Sequence, residues 1–518
     1  MQNRKLEINE PSFIDLFSGC GGFSAGLEQA GWKCLAGIDH NEHAIQTFKS
    51  NHCEESVALV KDMTQFQPKE LEKLIGIDHV DLIVGGPPCQ GFSSARQFSG
   101  SNSGQRLVDD PRRDLYKYFL KFVNHFRPKV FVMENVLGIK KMQNGVYFTA
   151  IQSEARKIGY RVVPIEVNTW EYGVPQKRIR QLFIGTLSDL PIVVPAQLIK
   201  KTHSLTPIKD GLSPIVTLGE AIEDLPVLEA GDERIIQDYD LELRNRYLDK
   251  YSGKFLTDVL DIQNAEKLTW HCSRPHNERD LRDFARLREG ETCSRALARG
   301  VEMEFPYDRG SFKDRYTRQD RNSLCSTIVA HLKSDGLMFI HPTQVRSLTP
   351  REAARVQTFP DTFKFSGSRS HVFMQIGNAV PPLIGKKIGQ GILHYLSLEK
   401  QTSETFRLSD VERREIIQGL EEFVTTYGPY SLNSIESVDD EQFKKIWGNV
   451  HKLLPHLHPQ SAMDNGTELS PIQDRSISFC LQRCYVRSGW PDELVPIAQE
   501  AFRRHESGRL LTSDYFHN

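Results

Sequence analysis

The sequence predicts a doubly wound, Rossmann-like α/β domain that is interrupted by an irregular insert and followed by a helix-rich extension. Three observations predict it. From residue 12 to about 186, short apolar runs alternate with amphipathic stretches. A glycine-rich turn joins the first apolar run directly to the first amphipathic one. The pattern then degrades over about 187–325 and returns from about 327 to 398. Strands alternating with helices build a mostly parallel sheet, whose ligands sit at the carboxyl ends of its strands.

Taken in order, 12–17 reads as a strand, 23–30 as a helix, 33–39 as a second strand and 41–50 as a second helix. The runs 80–84 and 129–133 are short, bounded and apolar, as buried parallel strands are. The stretch 187–325 holds proline-rich segments, an acidic patch near 220–233 and polar text rich in Arg and His, which suggests a separate substrate domain. Helical runs follow at 350–357 and 382–398, and a charged, helix-rich tail begins near 400. The expected division is 11–186 for the first part of a ligand-binding α/β domain, 187–345 for the irregular insert, 346–399 for the return to the α/β domain and 400–518 for an extension.

A chain of 518 residues has room for two or three domains. With 39% hydrophobic and 25% charged residues it has the balance of a folded globular protein. The N-terminal stretch lacks an apolar signal core, and no run nears the roughly 18 apolar residues of a membrane span, so the expected location is cytoplasmic. Nine cysteines without a Cys-x-x-Cys pair suggest neither a disulfide framework nor zinc. Cys480 and Cys484, four apart, read as core cysteines on one helix face. A net charge of −2 means that a nucleic-acid binder of this composition must gather its basic residues in one cleft.

The first strand ends in Asp15-Leu-Phe17-Ser-Gly19-Cys-Gly21-Gly22, where the glycines permit a tight turn and close approach of the backbone to a ligand. The second ends in Asp39, about 20 residues on, where a carboxylate can hold ribose hydroxyls. These features alone allow a dinucleotide or another adenosine compound, although the glycine spacing departs from the dinucleotide pattern. A third strand end carries Val84-Gly-Gly-Pro-Pro-Cys89-Gln-Gly-Phe-Ser93, which holds a cysteine rigidly at the ligand edge behind two prolines. A fourth brings Glu134-Asn-Val136 to the same edge. In Gln176-Lys-Arg178-Ile-Arg180, continuation as a strand would point both arginines to one face.

In this order the segments resemble those of the cytosine-5 DNA methyltransferase family, prokaryotic type. The likeness extends over 11–396 and includes 346–360, with its Thr-Pro-Arg-Glu-Ala-Ala-Arg core, and Gln375-Ile-Gly-Asn378-Ala-Val-Pro-Pro382. The resemblance implies S-adenosylmethionine as cofactor, no metal, and a pocket lined by Phe17, Gly19, Gly21, Gly22, Asp39, Asp62 and Asn378. Asp62 stands in Lys61-Asp-Met where the family more often has Gly-Asp-Ile, and Asp39 precedes His40 where relatives often have Glu and a larger neighbour. It also implies that Cys89 attacks C6 of cytosine, that Glu134 bonds N3 and the exocyclic amine, and that Arg178 and Arg180 fix the base carbonyl and a nearby phosphate. The base must leave the duplex for this chemistry, and the Ser-, Gly- and Arg-rich stretch 91–113 is the expected closing loop.

The family places target recognition within 187–345. There 311–321 interleaves basic and aromatic residues, and Thr327-Ile328 resembles the Thr-Leu pair near the family's recognition loops. Double-stranded DNA is the expected partner, a matching restriction endonuclease a candidate one, and the protein is expected to be a monomer acting at the nucleoid. The tail could pack on the catalytic domain, bind such a partner or add DNA contacts, though its acidic 437–441 gives the last no support. A transfer-RNA methyltransferase would carry a Cys-Phe-Thr element that is absent here. An inert DNA-binding regulator would have no use for Cys89, and a nicotinamide oxidoreductase none for the Pro-Pro-Cys strand end.

Overall fold

The computed structural model describes residues 10–52, 54–88, 114–187, 190, 198–251, 253–306, 314–403, 438–445, 500 and 504. Cys89, the stretch 91–113, residues 311–313 and most of the tail, including Cys480 and Cys484, lie outside them. The chain divides into two compact units. One comprises Met1–Glu154, Pro164–Ile184 and Lys200–Gln390, and the other Ala155–Val163, Gly185–Ile199 and Gly391–Asn518. The candidate site lies within the first.

Seven strands form one sheet: β1 Ser12–Leu16, β2 Lys33–Asp39, β3 Val57–Val60, β4 Leu82–Gly85, β5 Val130–Asn135, β6 Tyr160–Asn168 and β7 Ile179–Leu187, in the order β3-β2-β1-β4-β5-β7-β6. Strands β3, β2, β1, β4 and β5 pair in parallel. Their side chains explain why: β1 and β4 are buried along their whole length, as in a sheet covered on both faces. Helices α1 Gly22–Gln29, α2 Glu42–Asn51, α3 Pro68–Ile75, α4 Leu115–Phe126 and α5 Val146–Lys157 alternate with these strands. The Asn41 side chain caps α2 by accepting from Ala44 N at 3.0 Å. The strand order reverses beside β1, which lies between β2 and β4, and such a switch point opens a crevice at the strand ends. The doubly wound α/β class is the observed one.

After β7 come short helices α6 Leu218–Ile222, α7 Leu241–Lys250, α8 Glu278–Arg286 and α9 Cys293–Ala298, then α10 Pro350–Val356, α11 Arg369–Asn378 and α12 Pro382–Ser403. A second core gathers Leu218, Ile222, Leu256, Leu268 and Trp270 with Ile328, Ala353, Val356, Phe373 and Ile376, and reaches Cys20 in the glycine turn. Helix α10 is buried at every position. Its charges are met inside: Arg346 donates to Glu352 at 2.7 Å, Arg355 to Asp224 and Asp361 at 2.5 Å each, and Arg351 to Thr269 O at 2.8 Å. The 346–360 segment therefore ties together the chain around Asp224, just after α6, and the 268–270 segment.

Candidate active site

At the end of β1 the chain turns through three left-handed residues, Phe17 (φ 59°), Gly19 (φ 54°) and Gly21 (φ 88°). For Phe17, a bulky residue, this conformation stores strain of about 1–3 kcal/mol, the kind that gathers at ligand sites. The turn is braced from β2. Ser18 N donates to Ile38 O at 2.9 Å, and Gly19 N to Asp39 Oδ2 at 3.0 Å. Asn41 N takes the other carboxylate oxygen at 2.8 Å, and His40, raised above its usual range by its bond to Asp39, sits 3.1 Å from it. Asp39 thus shapes the glycine turn and keeps further lone pairs for a ligand. Asp62, exposed after β3, accepts from Thr64 N and Oγ1 at 2.8 Å each, bonds that lower its pKa.

The glycines divide by what surrounds them. A Cβ at Gly19 would meet nothing within 4 Å, whereas one at Gly21 would lie 2.1 Å from His52 Nε2 and one at Gly22 2.5 Å from Val380 O. Gly19 faces open space, while Gly21 and Gly22 are small because other elements press on them. Ser18 Oγ is buried without a hydrogen-bond partner among the described residues. Phe17 is partly exposed and Asn378, the last residue of α11, is exposed. An open glycine, an orphaned hydroxyl and a strand-end carboxylate fit a polar amino-acid and nucleoside ligand. Sequence reasoning missed two residues here: Ser18 itself, and Asp15, buried beneath the turn, where Ser24 Oγ donates to it at 2.6 Å. Burial and then the nearby Asp39 raise Asp15 to about 7, against the Ser24 bond.

Strands β4 and β5 supply the second half. A Cβ at Gly85 would sit 2.0 Å from Leu16 O, and one at Gly86 3.2 Å from Glu134 Oε2, so this strand end admits only glycine without rearrangement. Asn135, buried, donates to Pro87 O at 3.4 Å while its Oδ1 accepts from Val136 N at 2.9 Å. That bond ties the chain two residues ahead of Cys89, a positioning role the sequence reading did not assign. Glu134 Oε1 lies 2.8 Å from Arg180 Nε, with side chains 13% and 16% exposed: shielded, yet open to a ligand.

Arg178 departs from expectation. Successive short bonds, Gln176 N to Val174 O at 2.8 Å and Arg178 N to Gln176 O at 2.9 Å, curl the chain ahead of β7, so the two-residue alternation does not yet apply. The Arg178 guanidinium is buried and donates to Ile328 O at 2.9 Å and Ala379 O at 2.8 Å. Gln176 is buried as well, giving Nε2 to Gln357 Oε1 at 2.6 Å and taking Ile328 N at 3.1 Å. Thr327 Oγ1 donates to Lys177 O. Of the four residues expected to act on the base, Glu134 and Arg180 are together, Arg178 is a brace, and Cys89 is outside the described residues. Among the described residues, no group of three or more His, Cys, Asp or Glu could hold a metal.

A glycine turn on one side of the sheet's switch point and a Glu–Arg pair behind a Pro-Pro strand end on the other define a ligand-binding, enzyme-like site in a domain of the doubly wound class. The profile of the C-5 cytosine-specific DNA methylases matches residues 11–394, and the chain belongs to that family. It is 36% identical over 401 residues to the type II methyltransferase M.DdeI of Desulfomicrobium norvegicum, covering 74% of this chain and 89% of that protein. It is 32% identical over 432 residues to the type II methyltransferase M.AgeI of Thalassovita gelatinovora, covering 73% and 98%. A crystal structure of a DNA modification methyltransferase encoded within an E. coli prophage superposes with a TM-score of 0.58 at 27% identity, covering 75% of this chain and 99% of that one.

Proposed function

We propose that this enzyme methylates C5 of one cytosine within a short duplex sequence, as the modification partner of a restriction endonuclease acting on the same site. The observation that carries the reading is the Glu134–Arg180 pair at 2.8 Å beside the Gly86-Pro-Pro strand end that leads into Cys89. When bound, S-adenosylmethionine supplies the electrophilic methyl group. Phe17, Ser18, Gly19, Asp39, Asp62 and Asn378 would hold it, with Gly21 and Gly22 shaping the turn.

Cytosine C5 is too weak a nucleophile by itself. The Cys89 thiolate adds to C6 and drives the ring's π electrons onto C5, dividing one hard step into easier ones. Glu134 holds a proton at N3 and accepts from the exocyclic amine, stabilising charge as it develops. Arg180 turns from Glu134 to the base carbonyl, a charge-assisted bond. Once C5 carries the methyl, a base such as water takes its proton. The electrons restore the ring double bond and expel the thiolate. The target base is flipped out of the duplex for this sequence of steps. The enzyme acts as a monomer in the cytoplasm, at the nucleoid.

Wild type and Cys89→Ser are to be expressed in a host without cytosine methylation and the genomic DNA bisulfite-sequenced. Protected cytosines confined to one short sequence in wild type, and none in the mutant, are expected. Protection in neither would remove DNA as the substrate, and equal protection in both would remove Cys89 as the nucleophile.

A further inference from the structure

The arginines of the 274–369 region mostly face carboxylates: Arg282 meets Glu304 at 2.7 Å, Arg299 meets Glu291 at 2.8 Å and Arg321 meets Glu289 at 2.9 Å. Arg274 and Arg369 do not. Among the described residues neither has a carboxylate partner. Arg274 gives Nη2 to Leu332 O at 2.6 Å and lies 5.2 Å over the Phe373 ring. Arg369, in the first turn of α11, donates to Ser273 O at 3.2 Å, the carbonyl of the residue just ahead of Arg274. Asp335, whose charge reaches Arg274, is already taken by Arg315 at 2.9 Å. Lys333, exposed, stands next to Leu332 and lies 3.8 Å from Met374 of α11.

The local field is correspondingly positive. Burial, then the charge of Arg369, pushes Arg274 down to about 10, and burial with Arg274 pushes His276 down to about 4. Keeping two partly buried guanidiniums within reach of each other's charge is costly unless an anion joins them. A phosphodiester does so with the planar, bidentate geometry that arginine matches best.

We propose that Arg274 and Arg369, with Lys333 at the rim, bind one backbone phosphate of duplex DNA. The inference rests on DNA being the substrate. Continuity with the candidate site selects DNA over a free anion. Leu332 lies in the Ala330–Lys333 turn, which begins two residues after Ile328, whose carbonyl Arg178 holds, and Lys177 is joined to Thr327. Helix α11 carries Arg369 in its first turn, has Arg274 over the ring of its Phe373, and ends at Asn378. Its ten residues span about 15 Å, or about four base-pair rises along a duplex. A phosphate contact of this kind fixes where the duplex lies and carries no sequence information of its own.

The test is fluorescence anisotropy of the full chain on a random-sequence duplex across a series of KCl concentrations. Arg369→Gln carries it, because among the described residues that side chain holds one carbonyl, Ser273 O, and a thermal melt matching wild type is the control for its fold. Expected is a slope of log affinity against log salt reduced by about 1, with binding weaker by about three- to tenfold at physiological salt. Arg369→Lys should retain the wild-type slope, and Arg274→Gln should match Arg369→Gln. A wild-type slope in both glutamine variants, or weaker binding with an unchanged slope, overturns the phosphate site while leaving DNA as substrate. Failure of wild type itself to bind any duplex overturns both.

Discussion

Gly19 and Gly21 both sit at positive φ, yet a methyl group added at each meets different surroundings. Gly21→Ala combines left-handed strain with a clash against His52 and Phe48, and should destabilise the protein by about 2–4 kcal/mol. Gly19→Ala carries only the strain, about 1–2 kcal/mol, and places its methyl in open space. Its expected signature is a melting temperature near that of wild type with binding of S-adenosylhomocysteine weakened about tenfold or more, read by titration calorimetry. Equal loss of stability in both variants would show that the two glycines serve the same purpose. A glycine turn is legible in sequence because it is local, but which glycine faces the ligand depends on His52 and Val380, residues brought from elsewhere. Arg178 teaches the same lesson: its spacing to Arg180 suggests a shared face, and two short turns ahead of β7 undo it. Glu134→Gln leaves the pair's shape and removes its charge. If Glu134 carries the proton at N3, turnover should fall by about 10²–10³ and the pH–rate profile should lose a limb. An unchanged profile would dismiss that role.

Helix α10 shows where an element outruns its sequence. Thr349-Pro-Arg351-Glu352-Ala-Ala-Arg355 has a legible start, and the structure supplies the reciprocal cap between Thr349 and Glu352. Arg351, Glu352 and Arg355 are nevertheless all buried. Their partners, Asp224, Thr269 and Asp361, are separated from them by 6 to 131 positions in the chain, so no local pattern announces them. The acidic patch near 220–233 becomes intelligible only in this light: one of its members, Asp224, is the counter-charge of Arg355. Removing one partner from such a buried set leaves an uncompensated charge. Arg355→Ala should therefore lower stability by about 3–5 kcal/mol, seen as a shift in the urea midpoint. A shift below about 1 kcal/mol, the scale of an exposed pair, would contradict that burial.

Over the whole molecule, alternation of strand and helix made the first 186 residues readable, because a parallel sheet writes itself as repeated apolar runs. The insert resisted because it has little regular sheet and is held by buried polar groups, which also set the response to acid. His341, buried between Arg318, Arg346, His271 and Glu352, is lowered to about 3 by burial, and His276 to about 4. Both bind a proton more weakly folded than unfolded, where histidine titrates near 6.5. The unfolded chain therefore takes up more protons between about pH 6.5 and 4, and stability falls as the pH drops through that window. Asp361, lowered to about 2, extends the loss below about pH 4. Asp15, raised to about 7, works in the opposite sense: its contribution is full below about pH 4 and fades as the pH rises to 7. Two histidines against one carboxyl leave a net loss on acidification. Each well-buried group contributes at most about 1.4 kcal/mol per pH unit. His341 Nδ1 accepts from Thr343 N at 3.2 Å and Gln344 N at 3.1 Å, bonds that an amide oxygen can also accept. His341→Asn should thus keep the fold at pH 7.5 and flatten the fall in melting temperature between pH 6.5 and 4.5. A variant as acid-sensitive as wild type would place the titrating group elsewhere.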